Sequence, residues 1–253
     1  MSVEWLPQTA LIYMLIFARM GTMVMLMPGF SSSRLPVRMR LTIALVFTFI
    51  MYPLVFGHYP VEAVTFYPAI ALLFMEVGVG LILGGVTRLL MSAAQTAGAT
   101  IAFQTGLSFA MTADPTQGGV QGAIFGSFIA VLGVTLVFVL DFHHLVLAAI
   151  YESYTLFAPG AAFNLKDAAD MAIDVIAASF VVGVQMASPF IIFGLVFYLG
   201  LGILARLMPQ LQVFFIAMPA NIGIGLLLFV LLLSMIMTWY MDHMQRFLLS
   251  LIG

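Results

Sequence analysis

The chain has 253 residues, of which 64% are hydrophobic and only 7% are charged, and its mean hydropathy is +1.19. This composition lies far outside the range of soluble domains and predicts an all-α, polytopic membrane-type protein. A net charge of -2 excludes a basic nucleic-acid-binding surface, and the absence of cysteine excludes disulfides, thiolate metal sites and cysteine nucleophiles.

Crossing the hydrocarbon core of a bilayer requires about 20 predominantly apolar residues. Six stretches approximately meet this length, and we expect them to form helices in hairpins, bent or broken at internal prolines. They are Gln8 to Met27, Leu41 to Phe56, Ala69 to Leu90, Gly122 to Leu140, Ala172 to Leu204 and Val213 to Tyr240. The first is not expected to be a cleaved signal peptide, because Glu4 replaces the usual basic region and Arg19 interrupts the apolar segment.

The basic residues predict which side of the membrane holds the N-terminus. If the N-terminus is periplasmic, five arginines fall on the inner side, and only two basic residues fall outside. Positively charged loops face the cytoplasm, so the count favours this orientation. The inner set is Arg34, Arg38, Arg40, Arg88 and Arg206; the outer set is Lys166 and Arg246.

Two charged residues lie deep within predicted helices, away from the helix ends. Arg19 and Glu76 each carry a cost of about 2.5 to 3.5 kcal/mol on insertion scales if they lie unpaired in the bilayer centre. Their predicted depths differ by roughly one helical turn, so the two can pair. We predict a structural ion pair; the alternative is a proton or ion relay, which the sequence favours less because a relay needs a longer chain of titratable groups at mid-span.

Small residues recur at four-residue spacing, which lets helix backbones approach closely. The pattern predicts close packing, either between helices of one bundle or with neighbouring subunits. The glycines concerned are Gly80, Gly84, Gly98, Gly122 and Gly126.

The sequence shows no pattern for catalysis or cofactor binding. It lacks a Walker loop, HExxH and GxSxG, which argues against an enzyme. His143 and His144 are adjacent, so a regular helix would direct them to different faces, and no third ligand stands at a suitable spacing. We therefore predict no catalytic residues, no cofactor and no metal site.

The segment Gln104 to Gly119, QTGLSFAMTADPTQGG, is irregular, nearly uncharged and rich in apolar side chains. Its proline and glycines disfavour a helix, and its apolar residues disfavour an ordinary aqueous loop. Irregular backbone at membrane depth is tolerated only where it is buried in protein or lines a water-filled cavity. The segment therefore predicts a pore, a gate or a tight subunit contact.

Four ordered blocks resemble the FliR family of flagellar type III export-gate proteins, over essentially the whole chain. They are FARMGTMVMLMPGFSSSRLPVRMRL from Phe17, MEVGVGLILG from Met75, AGATIAFQTGLSFAMTADPTQG from Ala97, and LGILARLMPQLQVFFIAMP from Leu201. The family has a counterpart in virulence injectisomes, and the second half of the third block together with the fourth resembles the flagellar branch more closely.

The resemblance implies a subunit that closes a helical core built with FliP-like and FliQ-like partners in the bacterial inner membrane and flagellar basal body. It implies a FliP-like part, residues 1–169, fused to a FliQ-like C-terminal hairpin, residues 170–253. Other subunits would then cover much of the apolar surface, and individual helices need not span lipid.

The resemblance also assigns residues. The family's pore plug falls on residues 107–117, here called the plug segment, and its FlhB-like switch protein would contact the turn at Arg206, Pro209 and Gln210. The plug residues are Leu107, Phe109, Ala110, Met111, Thr112, Asp114 and Pro115. The expected function is a non-enzymatic conduit for unfolded flagellar proteins. The alternatives are an injectisome homologue, a small-molecule or ion transporter, and a purely structural scaffold.

Overall fold

The structure is a computed structural model that describes residues 5–30, 35–59, 66–108, 123–160, 165–210 and 212–250. Among these residues all regular structure is helical, which confirms the all-α prediction. The elements are α1 (Trp5–Leu26), α2 (Val37–Val55) with a 3₁₀ turn (Phe56–His58), α3 (Phe66–Gln104), α4 (Ala123–Val139), α5 (Phe142–Leu156), α6 (Leu165–Leu207) and α7 (Val213–Ser250).

Five of these helices, α1, α2, α3, α6 and α7, are long and apolar enough to cross a membrane. Helices α4 and α5, separated by a break, count together as a sixth. The prediction of about six long apolar helices is therefore confirmed. Helices α3, α6 and α7 have 39, 43 and 38 residues, roughly twice the length that a bilayer core requires. Pro53, Pro189 and Pro219 lie inside α2, α6 and α7, which continue past them.

Helix α3 corrects the predicted boundary at Leu90, because it continues to Gln104. The extension is less apolar than a membrane span, yet its alanines, methionine and glutamine are good helix formers. Arg88 consequently lies inside α3 with an exposed side chain, and not in a loop on the inner side. Without Arg88, four arginines remain on the predicted inner side and two basic residues on the outer side, so the predicted orientation is unchanged.

Helix α5 corrects the predicted connection between residues 141 and 171, since residues 142–156 are helical and α6 already begins at Leu165. Asp141 precedes it with φ of 59°, a left-handed conformation that aspartate tolerates better than most residues. This residue ends the run from α4 and begins a new helix. Its buried side chains recur every three or four residues, as expected for a helix with one packed face: Phe142, Val146, Ala149, Ile150, Ser153 and Tyr154.

The chain divides into two compact units. Unit 1 comprises residues 1–89, 141–176 and 246–253, and unit 2 comprises residues 90–140 and 177–245. Buried Ile16, Met20 and Val79 belong to the core of unit 1, and Ile101 and Phe190 to that of unit 2. The family-based division into residues 1–169 and 170–253 stays a prediction.

Candidate functional site

The predicted plug segment begins just after α3 ends. Gly106 has φ of 72°, a left-handed conformation that favours glycine, and its N–H donates to the carbonyl oxygen of Phe103 at 3.2 Å. Half-buried Leu107 follows. The other predicted plug residues lie outside the described residues, and their role stays a prediction: Phe109, Ala110, Met111, Thr112, Asp114 and Pro115.

Helices α6 and α7 pack tightly around the end of α3 within unit 2. A Cβ atom added to Gly225 of α7 would collide with the Thr105 side chain, and one added to Gly194 of α6 would collide with that of Gln104. Glycine at position 225 therefore lets α7 approach α3 closely, whereas the flexible end of the Gln104 side chain could move away from a larger residue at position 194. The packing holds the residues from which the plug segment departs. The spacing of small residues in the sequence did not predict this contact.

Asn221 of α7 completes this contact. Its Nδ2 atom donates to the carbonyl oxygen of Gln104 at 3.4 Å, and a Cβ atom on Gly106 would meet the same nitrogen. The sequence offered one signal for this contact, an asparagine within an otherwise apolar helix.

The predicted pair of Arg19 and Glu76 is brought together in unit 1, with both side chains fully buried. Arg19 Nε donates to Glu76 Oε2 at 2.5 Å, and Nη2 donates to Oε1 at 3.2 Å. The contact is bidentate, the geometry in which arginine and a carboxylate bond most strongly. It joins α1 to α3.

Arg19 also holds the C-terminal end of α5. Its Nη1 atom donates to the carbonyl oxygen of Ser153 at 3.0 Å and to its hydroxyl at 3.1 Å, and Nη2 donates to the carbonyl oxygen of Phe157 at 2.9 Å. The guanidinium lies 4.0 Å from the ring centroid of Tyr154, a cation–π contact. The sequence missed these partners because α5 was not predicted. One cation thus links α1, α3 and α5.

Tyr59 borders this cluster. Its ring lies edge-on to that of Tyr154, with centroids 6.3 Å apart. Burial, followed by the nearby Tyr154 hydroxyl and Glu76 carboxylate, raises the pKa of the Tyr59 hydroxyl well above its usual range. The hydroxyl therefore stays neutral at physiological pH.

The described glycines of the small-residue pattern pack within the chain. A Cβ atom on Gly80 would collide with Thr22 and with the backbone of Arg19, and one on Gly84 would press on α1 one turn further along. Gly98 of α3 lies against the backbone of Gly126 in α4. Gly122 lies outside the described residues. The faces of the four described glycines are thus occupied by helices of the same chain.

The predicted partner contact lies in the turn between α6 and α7. Arg206, Pro209 and Gln210 are all exposed, as are the apolar side chains of Leu207 and Met208. The turn therefore offers polar and apolar groups to another protein. The contact itself stays a prediction.

The side-chain rings of His143 and His144 lie close together, although adjacent residues on a regular helix were expected to point to different faces. Their ring centroids are 4.1 Å apart, and Asp141 supplies a third ligand that the sequence spacing did not suggest. Each ring has a nitrogen 4.0 Å from Asp141 Oδ1. Asp141 and His144 are exposed, so water solvates much of this group. The expectation of no metal site stays a prediction.

Comparison with known proteins identifies the family. Residues 10–247 match the family described as bacterial export proteins, family 1. A flagellar biosynthetic protein FliR of Caulobacter vibrioides is 42% identical over 234 residues, covering 92% of this chain and 93% of the relative. FliR of Bacillus subtilis is 30% identical, covering 88% and 86%, and FliR of Escherichia coli is 27% identical, covering 93% and 88%. The chain therefore belongs to the bacterial export proteins, family 1.

Proposed function

We propose that this chain is a non-enzymatic subunit of the flagellar protein-export gate, which builds and plugs the conduit for unfolded flagellar proteins across the inner membrane. Family membership and the relatives' names support the coarser statement that it is a membrane-embedded component of the flagellar export apparatus. The same relatives favour a flagellar over an injectisome role.

One observation carries the plug proposal. Helix α3 ends in a tightly packed contact at Gln104 to Gly106, and a nearly uncharged sequence with Phe109 and Met111 follows directly. An apolar segment that departs from a fixed point is suited to closing a conduit, because apolar constrictions exclude water and ions. Flexible thioether and aromatic side chains also adapt to irregular contacts.

The exposed apolar side chains support burial by partners or lipid. Phe49, Phe74, Phe180, Leu231 and Met235 are each more than half exposed. Exposed apolar area on this scale marks contacts with other proteins or with a membrane. FliP-like and FliQ-like subunits would cover these faces, and a FlhB-like protein would contact the turn between α6 and α7. The N-terminus would face the periplasm.

A deletion of Phe109 to Pro115 tests the plug. The variant should assemble with its partners, and the purified complex in liposomes should conduct small ions, whereas the wild-type complex should not. Normal assembly without added conductance would reject the plug, and failed assembly would favour a scaffold role. Two double variants of full length separate apolar character from segment length. The complex with F109S/M111S should conduct ions, and the complex with F109L/M111L should not.

A further inference from the structure

Asn221 contacts the end of α3 through its side-chain amide. The residue is only 3% exposed. Its Nδ2 atom reaches two acceptors, the carbonyl oxygen of Gln104 at 3.4 Å and the hydroxyl oxygen of Tyr198 at 3.5 Å. Among the described residues, no donor reaches its Oδ1 atom. The amide is therefore only partly satisfied.

The contact with Gln104 acts as a helix cap supplied by another helix. The last carbonyl oxygens of an α-helix have no partner within the helix, and Gln104 is the last residue of α3. Asn221 satisfies this carbonyl from α7, while left-handed Gly106 packs on the same amide. One side chain therefore fixes both the last carbonyl of α3 and the turn that follows it.

The lengths of these hydrogen bonds indicate that the clamp is weak. Both are longer than the roughly 2.7–3.2 Å typical of N–H···O hydrogen bonds, and a partly satisfied amide in apolar surroundings is less favourable than a fully bonded one. Arg19 in unit 1 is different, since its hydrogen bonds measure 2.5 to 3.2 Å. Arg19 is therefore held by more and shorter hydrogen bonds than Asn221.

We propose that Asn221 is a positioning residue, a clamp that holds the C-terminal end of α3 and so sets the point from which the plug segment departs. The inference rests on the proposed function for its consequence, but the clamp can be measured independently. Opening of the clamp would free the amide protons of Thr105 and Gly106, which bond to the carbonyl oxygens of Ile101 and Phe103.

Hydrogen exchange in the assembled complex tests the clamp. N221L keeps the approximate size of the side chain and removes the amide, so exchange at Thr105 and Gly106 should accelerate by up to about fivefold, the effect of losing one typical hydrogen bond being the upper bound for this weak one. N221S should do the same, because a serine hydroxyl bonds within its own helix and does not reach Gln104. The control G223A changes the same helix where an added Cβ meets open space, and should leave exchange unchanged.

The clamp is supported if hydrogen exchange becomes faster only at residues 103–107, in either asparagine variant that assembles. If the variants exchange these amides at the wild-type rate, Asn221 only fills space and the clamp is overturned. Faster exchange along all of α3 would also overturn it. The conductance of the loop-deletion complex decides the plug separately, so failure of the clamp is distinguishable from failure of the proposed function.

Discussion

Arg19 and Glu76 are chemically unequal partners in their buried pair. Two nitrogens of the guanidinium donate to the two carboxylate oxygens, and the same guanidinium also holds the end of α5. A carboxylate can be neutralised by taking up a proton, whereas arginine stays charged in proteins. Loss of Glu76 therefore strands a permanent charge, while loss of Arg19 leaves a group that can become neutral.

This inequality predicts that E76L is more damaging than R19L. Removing one partner of a buried pair typically costs about 3–5 kcal/mol because the other charge remains uncompensated. E76L should lie at the upper end of that range and R19L lower, although R19L also loses the bonds to Ser153 and Phe157. Thermal unfolding of the purified complex would measure both. Equal losses would contradict the argument from protonation.

The charge-exchanged variant R19E/E76R should not recover stability. Its new carboxylate at position 19 would face the carbonyl oxygens of Ser153 and Phe157, which offer it no hydrogen. R19K, which keeps the charge and loses the bidentate geometry, should lie between wild type and R19L. Full recovery by the exchange would show that the contacts with α5 contribute little.

Two glycines two residues apart in α3 should respond oppositely to alanine. G80A places a methyl group against Thr22 and the backbone of Arg19, and such overpacking typically costs about 1–3 kcal/mol. G78A meets nothing within 4 Å and should stabilise the helix by up to about 1 kcal/mol. Unfolding temperatures of the two variants would compare them directly. A tolerated G80A would mean that α1 and α3 can separate at this point.

The absence of native cysteine makes the orientation testable by single-cysteine labelling. Cysteine at Ser32 or Gln210 should react with an impermeant reagent only from the cytoplasmic side, and cysteine at Asn164 only from the periplasm. Ser32 and Asn164 lie outside the described residues. The reverse pattern would overturn the periplasmic N-terminus.

The turn between α6 and α7 should crosslink to a FlhB-like protein. Photocrosslinkers at Arg206 or Gln210 would be activated in assembled basal bodies, and the captured protein would be identified by mass spectrometry. Exposed Tyr151 of α5 provides the comparison position and should not capture this partner. Capture of lipid alone at the turn would reject the contact.

The sequence predicted the apolar helices because their composition leaves few alternatives in a membrane. It also placed Arg19 and Glu76 at similar depth, which requires only the rise per residue of two helices. The helix boundaries were harder to predict. Helix α3 passes Leu90 because helix propensity and packing continue where strong hydropathy ends.

The remaining partners of Arg19 could not be predicted, because they depend on α5. Asp141 begins that helix from a left-handed conformation, which the sequence alone does not signal. The clamp at Asn221 was missed for a related reason. Its acceptor is the backbone of Gln104, and a backbone carbonyl oxygen is present at every position of a sequence.

The separation between Arg19 and Phe157 has a consequence for biosynthesis. The two residues are 138 positions apart, and bacterial-type synthesis at about 5–20 residues per second takes about 7–28 s to cover that distance. During this interval Arg19 has been made and its α5 partners have not. Arg19 in the first helix therefore lacks the carbonyl oxygens of Ser153 and Phe157 until more than half of the protein has been synthesised. Unit 1 cannot complete its hydrogen bonds to Arg19 before that point.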